Sequence, residues 1–313
     1  MRITSFGLTV LLAGTFAVLP VGAETFLLPS PTATVVGESH WITADRRESL
    51  LDAARRNGLG FFDMKQANPD VDMWVPRDGA RVLLPTSFIL PNARRRGVVV
   101  NIAEYRLYFY HVRDGQDMVA TFPISIGRMD WQTPLGDWRV TRKRTRPTWR
   151  PPKSIIAEYA ADGEVLPPVV PPGPDNPLGD YAINLSAPGY LIHGTNKPRG
   201  VGMQVTHGCL RMLPEDIEWL FPQVPTGLPV TIVNQPVKIG WRDGRLYLEA
   251  HPALEDRGAE EIDSLIERIS ASAQAARVAL DVQSMRRVLI ERRGVPTPVS
   301  LSREQVQAAA VGR

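Results

Sequence analysis

The chain has 313 residues, with 36 Lys and Arg against 33 Asp and Glu, a formal net charge of +3. That balance is too mild to mark a nucleic-acid binder, though it suits an anionic polymer such as a cell wall, and the length predicts two domains on a scale of roughly 100–200 residues each. The 28 prolines exceed the usual share of about 5% and cluster between short apolar runs, which argues for a loop-rich β protein. The single cysteine, Cys209, excludes an internal disulfide and a cysteine-rich zinc site.

In chain order, Met1-Arg2 and the apolar run 3–19, broken by Pro20 and closed by Val21-Gly22-Ala23, predict a secretory signal over 1–23. No later stretch approaches a membrane-spanning length, so no stable membrane insertion is expected after cleavage. Residues 24–40, with Pro29, Ser30, Pro31 and Thr32, read as a linker. A strand at 41–43, a helix at 48–56 stopped by Asn57-Gly58, a helix at 61–67 stopped by Asn68-Pro69, and a strand at 79–85 give a small α+β unit over 41–86.

From Gly97 the period changes. Short β-branched and aromatic runs at 98–102 and 106–110 predict a hairpin, followed by strands at 118–126, 137–141, 181–185, 190–193 and 229–233. One short helix opens at Pro214 with Glu215 and Asp216 in its first turn. Many short strands with one helix predict a β-sandwich over 96–234. The proline-rich stretch 147–180 is long for a loop inside a domain and is expected to form a lid or wall over a site. Residues 235–313 read as a hairpin and a helical extension, with Ile262, Leu265, Ile266 and Ile269 at helical spacing.

Cys209 lies in Thr206-His207-Gly208-Cys209-Leu210-Arg211-Met212, and His193 precedes it in Ile192-His193-Gly194-Thr195. A thiol becomes a nucleophile when a neighbouring imidazole takes its proton. Two strand ends could bring these side chains together, with Gly194 and Gly208 permitting close backbone approach. The N–H groups of His207, Gly208 and Cys209 would then face an oxyanion. The bland alternative is a small buried hydrophobe at Cys209. A zinc site of His193, His207 and Cys209 is disfavoured because the motif holds no acidic base.

These motifs resemble the signature of the YkuD-type L,D-transpeptidases, and the likeness continues at Thr133-Pro134-Leu135-Gly136 and Gly173-Pro174-Asp175-Asn176-Pro177-Leu178-Gly179. The runs 48–51, 67–69 and 82–85 resemble a LysM glycan-binding module. Signal, LysM-like unit and catalytic domain in this order are similar to the ErfK/YbiS/YcfS/YnhG group. The resemblance implies a mainly β fold, a YkuD-like β-sandwich with a LysM-like α+β domain before it and a helical extension after it. It implies a periplasmic enzyme that cuts peptidoglycan tetrapeptide stems through a cysteine acyl-enzyme and passes the acyl group to a lysine of a Braun-type lipoprotein. Wall crosslinking through stem peptides and hydrolysis by the same thiol are the alternatives within the family, and a non-catalytic wall-binding protein is the alternative outside it. Carried over by residue, Cys209 is the nucleophile, His193 the general base and acid, Gly194 the carbonyl that orients His193, and His207 and Gly208 the oxyanion support. Arg211, Thr195 and Asn196 are the expected substrate-binding residues. For Arg211, a carboxylate contact and a structural salt bridge both remain open. No cofactor, metal or nucleic acid is implied.

Overall fold

The structure is a computed structural model that describes residues 24–28, 34–254, 260–275 and 277–301; the expected signal at 1–23 lies outside these residues. The order of elements begins β1 (Glu24–Leu27), β2 (Val35–Gly37), β3 (His40–Thr43), α1 (Leu50–Arg56), α2 (Phe61–Ala67), β4 (Arg81–Leu84) and β5 (Ser87–Ile89). Strands β6 (Gly97–Asn101), β7 (Arg106–Arg113), β8 (Gln116–Gly127) and β9 (Gly136–Thr145) follow, then helix α3 (Lys153–Ala161). The site region is built from β10 (Tyr181–Leu185), β11 (Leu191–His193), β12 (Gln204–Thr206), β13 (Leu210–Met212), α4 (Pro214–Gln223) and β14 (Pro229–Val233). The chain closes with β15 (Val237–Arg242), β16 (Arg245–Ala250), α5 (Ile262–Ala275), α6 (Val282–Glu291) and β17 (Thr297–Pro298). None of the described helices is long and apolar enough to cross a membrane.

The apolar runs of β6 and β7 do not alternate with polar residues because both faces of their sheet are covered. Val98, Val100, Leu107 and Phe109 enter the main core, joined from β8 by Ala120, Phe122, Ile124 and Ile126. The intervening Val99, Tyr108, Tyr110 and Val119 face the N-terminal unit and share a second core with Leu50, Met64, Val82 and Leu84. Period-2 alternation therefore sorts neighbouring side chains between two apolar layers. Each large side chain fully withdrawn from water there contributes on the order of 1.5–3 kcal/mol.

The main sheet runs β8-β13-β11-β10-β9-β14-β6-β7, and β7 pairs with β8 again, so the path closes on itself. Closure leaves these strands without the open edges that invite aggregation. Two long strands make it possible. β8 pairs with β7 from Gln116 to Pro123 and with β13 at Ile124 and Ser125. β9 pairs with β14 through Gly136 to Arg139 and with β10 through Val140 to Thr145.

Two sequence expectations are corrected here. The linker expected at 24–40 instead contains strand β1, which adds antiparallel to β8 from Glu24 opposite Thr121 to Leu27 opposite Met118, and strand β2, which pairs with β5. The prolines and polar residues that suggested a linker occupy 29–33, outside the described residues, while the apolar segments on either side find partner strands. The irregular stretch 147–180 is also more structured than expected. It holds α3 and an antiparallel bridge between Trp149 and Val170. Asn176 pins it from the inside, its Nδ2 donating to the carbonyls of Pro147 at 2.8 Å and Pro171 at 3.1 Å, and its Oδ1 accepting from Leu178 N–H at 2.9 Å.

The terminal units are bolted to the main sheet by buried charge. Arg106 of β7, fully buried, donates to Asp63 of α2 at 2.5 Å and to the Gly58 carbonyl at 3.2 Å. Lys238 of β15 donates to Glu104 at 2.6 Å, to Glu249 at 2.8 Å and to the Ile89 carbonyl at 2.5 Å. Glu104, Glu249 and His251 are close enough together to hold a metal ion, but the Lys238 ammonium already supplies the cation their charges require.

Candidate active site

The pairing of four strands sets the site. β11 and β13 are parallel, with His193 beside Arg211. Across β10, Ala182 stands opposite both His193 and Arg144. Residues in register share a face of a sheet, so Arg144, Ala182, His193 and Arg211 form one row on the face turned away from the main core. One step along the strands, Asn184 stands opposite Arg142 and Leu191. Cys209 precedes β13 by one residue and so joins the face of His193 at a diagonal position. This face floors a cleft of about 1360 Å³ lined by His193, Cys209 and Arg211 together with Tyr190, Trp149 and Tyr159. The volume exceeds the roughly 300–1,000 Å³ of a small-ligand pocket and suits a peptide.

His193 is buried, and its Nδ1 lies 2.7 Å from the carbonyl of Gly194. A carbonyl can only accept, so Nδ1 carries the hydrogen and Nε2 keeps its lone pair for the cleft. Burial, then the positive charge of Arg211, push the imidazole pKa down to about 3, against the carbonyls of Gly194 and Leu178, which favour the protonated ring. Cys209 is half-buried, and its thiol donates to the Gly189 carbonyl at 3.8 Å. Burial raises its pKa, opposed by a backbone hydrogen bond from Leu191 and by Arg211. Both shifts favour the neutral forms, a thiol and a free base on one face of the sheet rather than a preformed ion pair.

The turn before Cys209 is held by three contacts. Thr206 Oγ1 donates to the Cys209 carbonyl at 2.6 Å. Buried Thr133 donates to the Gly208 carbonyl at 2.9 Å and accepts from Gly127 N–H at 3.0 Å. Gly208 has φ +96, and a Cβ there would sit 2.7 Å from the Tyr190 ring, so both backbone and space demand glycine.

His207 turns outward. Its ring packs edge-on against Trp131 with centroids 5.2 Å apart, and its Nε2 lies 3.2 Å from Glu158 of α3. Arg128 also binds Glu158, at 2.6 Å. The side chain of His207 thus fastens the wall of the cleft rather than facing the thiol. Thr195 and Asn196, expected to bind substrate, do not line the cleft. Thr195 is buried and accepts from Lys197 N–H at 2.9 Å, and Asn196 reaches the Asp175 carbonyl at 3.3 Å. Both spend their polar atoms on shaping the loop after His193.

Arg211 does line the cleft, and among the described residues no carboxylate pairs with it. Its Nε is buried without a hydrogen-bond partner among the described residues, and the structural salt bridge that the sequence left open is not formed among them. Sequence reasoning missed Arg144, Asn184, Tyr159 and Trp149. The signal for Arg144 was the basic run Arg142-Lys143-Arg144-Thr145-Arg146, which extends β9 beyond the expected 137–141. Alternation turns the Lys143 ammonium over the ring of Phe221 at 4.4 Å, and Arg142 and Arg144 line the cleft.

Residues 95–232 match the YkuD family model, described as the L,D-transpeptidase catalytic domain. The chain is 40% identical over 296 residues to the probable L,D-transpeptidase YcfS of Escherichia coli (strain K12), covering 92% of this chain and 91% of that protein. It is 39% identical over 293 residues to the probable L,D-transpeptidase ErfK/SrfK of the same strain, covering 91% and 93%. With the probable L,D-transpeptidase YbiS it shares 40% over 262 residues, covering 81% and 84%. Likeness of this extent runs well beyond the signature around Cys209, and the chain belongs to the YkuD family of L,D-transpeptidases.

Proposed function

We propose that the chain is a periplasmic L,D-transpeptidase that acts on peptidoglycan tetrapeptide stems and passes the acyl group to a lipoprotein lysine. The observation that carries the chemistry is the 2.7 Å contact from His193 Nδ1 to the Gly194 carbonyl, which leaves Nε2 as the free base on the face that holds the only thiol. As Cys209 sulfur attacks the carbonyl between the third and fourth stem residues, its proton passes to His193 Nε2. The N–H groups of His207, Gly208 and Cys209 are the candidate donors to the tetrahedral oxyanion. Collapse breaks the C–N bond, His193 returns the proton to the departing D-alanine amine, and a thioester remains on Cys209. An acceptor amine then attacks the thioester, His193 takes its proton, and the sulfur leaves and recovers that proton.

Acceptor choice divides the readings. A lipoprotein lysine follows from the resemblance to the ErfK/YbiS/YcfS/YnhG group, a stem diaminopimelate amine would make a wall crosslink, and water would make a carboxypeptidase. In the N-terminal unit, the exposed rings of Trp41, stacked under Arg81 at 4.6 Å, and Trp74 support a LysM-like glycan-binding role. The test is to supply tetrapeptide muropeptide with a lipoprotein C-terminal peptide, a second muropeptide and water in competition, and to identify products by mass. D-alanine release that survives Cys209→Ala would sink the mechanism, and pull-down on peptidoglycan without any release would favour a binding protein.

A further inference from the structure

The row Arg144, Ala182, His193 and Arg211 places one guanidinium on each side of the imidazole, and the side of Arg144 is the informative one. Arg211 stands on the strand of the nucleophile, two residues past Cys209. Arg144 stands on β9, beyond His193 and across Ala182 from it. Ala182 is fully buried and ends at a methyl group, so nothing at that register position rises between the base and Arg144. Arg144 is half-buried and lines the cleft, and its Nε, like that of Arg211, is buried with no hydrogen-bond partner. The pKa of its guanidinium is lowered by burial and by Arg142, and among the described residues no carboxylate offsets them. Desolvating a cation without a counter-charge is costly in a folded chain. Here the cost is met twice on one floor, which is the pattern of a receptor for anions.

Direction follows from the chemistry. The group that His193 protonates is the leaving amine, so the leaving residue starts within hydrogen-bond reach of the imidazole, and the small Ala182 gives it room on the side away from Cys209. That side is where Arg144 stands. We infer that Arg144 is the specificity residue for the leaving side of the reaction, where it takes the free α-carboxylate of the C-terminal residue that Cys209 cleaves off. Arg144 would then be what favours a donor whose free carboxylate lies one residue beyond the scissile bond, and Arg211 is left to serve the acyl side. The inference rests on the transpeptidase reading above. It also links binding to catalysis, because Arg211 and Arg144 both depress His193 electrostatically. A carboxylate held by Arg144 removes part of that opposition just where the imidazole must accept a proton.

The experiment compares two tetrapeptide donors, one with a free C-terminal carboxylate and one with a C-terminal carboxamide, in wild type, Arg144→Gln and Arg144→Lys. Release of D-alanine or D-alaninamide is followed by mass to give kcat/KM for each. Wild type is expected to prefer the acid by about 10- to 100-fold, the scale of a charge-assisted hydrogen bond. Arg144→Gln collapses the acid-to-amide ratio towards one, and Arg144→Lys restores part of it. A wild-type ratio near one overturns the inference, as does an equal loss on both donors in Arg144→Gln while Cys209 still alkylates at the wild-type rate. If wild type releases nothing from either donor, the transpeptidase reading itself fails and this assignment falls with it. Thermal melts of each variant guard against a folding defect, and the lysine variant keeps the test valid should the glutamine variant fold poorly.

Discussion

Charge is buried in two places in this molecule, and they differ in one respect. Around Lys238, every charge has its complement: the ammonium meets Glu104 and Glu249, and His251 Nε2 lies 2.7 Å from Glu249. On the cleft floor, no carboxylate among the described residues pairs with Arg144 or Arg211, and Asn184 Oδ1 is buried with no donor among them. The first arrangement is complete without any other molecule and joins β5, the segment before β7 and the C-terminal hairpin. The second leaves polar atoms unpaired, as the proposed binding of an anionic peptide requires. Saturation of hydrogen bonds and charge thus separates a structural polar cluster from a binding one better than burial does, since both are withdrawn from water.

The contrast can be broken by mutation. Lys238→Met strands two buried carboxylates and is expected to cost about 3–5 kcal/mol of folding stability, read from urea denaturation. Arg211→Met removes a cation that has no partner. It is expected to change stability within about 1 kcal/mol while sharply lowering D-alanine release. Equal destabilisation by the two variants would erase the distinction drawn here.

A second measurement sharpens it through pH. The imidazole of His193 has its pKa lowered to about 3 in the folded chain from an ordinary 6.5. Between those values the unfolded chain binds the extra proton, so the stability tied to neutral His193 is full above pH 6.5 and drains as pH falls towards about 3. Wild type is expected to lose stability relative to His193→Gln between pH 7 and pH 4, measured by urea midpoints, because Glu24 and Asp216, whose pKa values are both raised to about 7, are common to both proteins. A constant difference across that range would mean the imidazole is not held neutral. In the free enzyme, alkylation of Cys209 by iodoacetamide should rise with pH through a midpoint above that of an ordinary thiol, the direction in which burial moves it. A plateau below pH 7 would indicate a preformed thiolate. The smallest effect is expected at the wall of the cleft. Glu158→Gln weakens the contacts to His207 and Arg128, and should raise KM a few-fold and speed hydrogen exchange within α3, with little change in kcat.

Much of this arrangement is legible in the sequence, and the limits have physical causes. The hairpin of β6 and β7, the strands β10 and β14 and the helices α1, α2 and α4 announce themselves through local period and capping residues. The pair of His193 and Cys209 is visible because rare residue types recur in a tight motif. Strand β13 is not visible, since Leu210, Arg211 and Met212 carry no signal apart from their neighbours in space. Strand β1 was hidden by the prolines that follow it. Helix α3 was hidden between prolines, with only Ile155 of its residues buried and no side-chain cap to mark its start. Arg144 could be read as one member of a surface charge run; its role depends on which strand lies beside β9 and in what register, which local sequence does not encode. Thr195 and Asn196 were the opposite case, polar residues next to a catalytic motif whose hydrogen bonds serve the loop itself.

The shared strand β8 has a consequence for the order in which the molecule is put together. Its first half folds back on β7 through the short turn at Asp114 and Gly115, a contact between chain neighbours. Its second half pairs with β13, which emerges much later in the chain. Closing a long loop costs more entropy than closing a short one, and pairings distant in sequence form more slowly. The hairpin and its apolar layers are therefore expected to assemble first, with Cys209 seated last, when β13 docks beside β8 and His193 is already on β11. The thiol would remain an ordinary, unassisted cysteine throughout folding and acquire its base only in the finishing step, so reactivity at Cys209 doubles as a clock for completion of the fold.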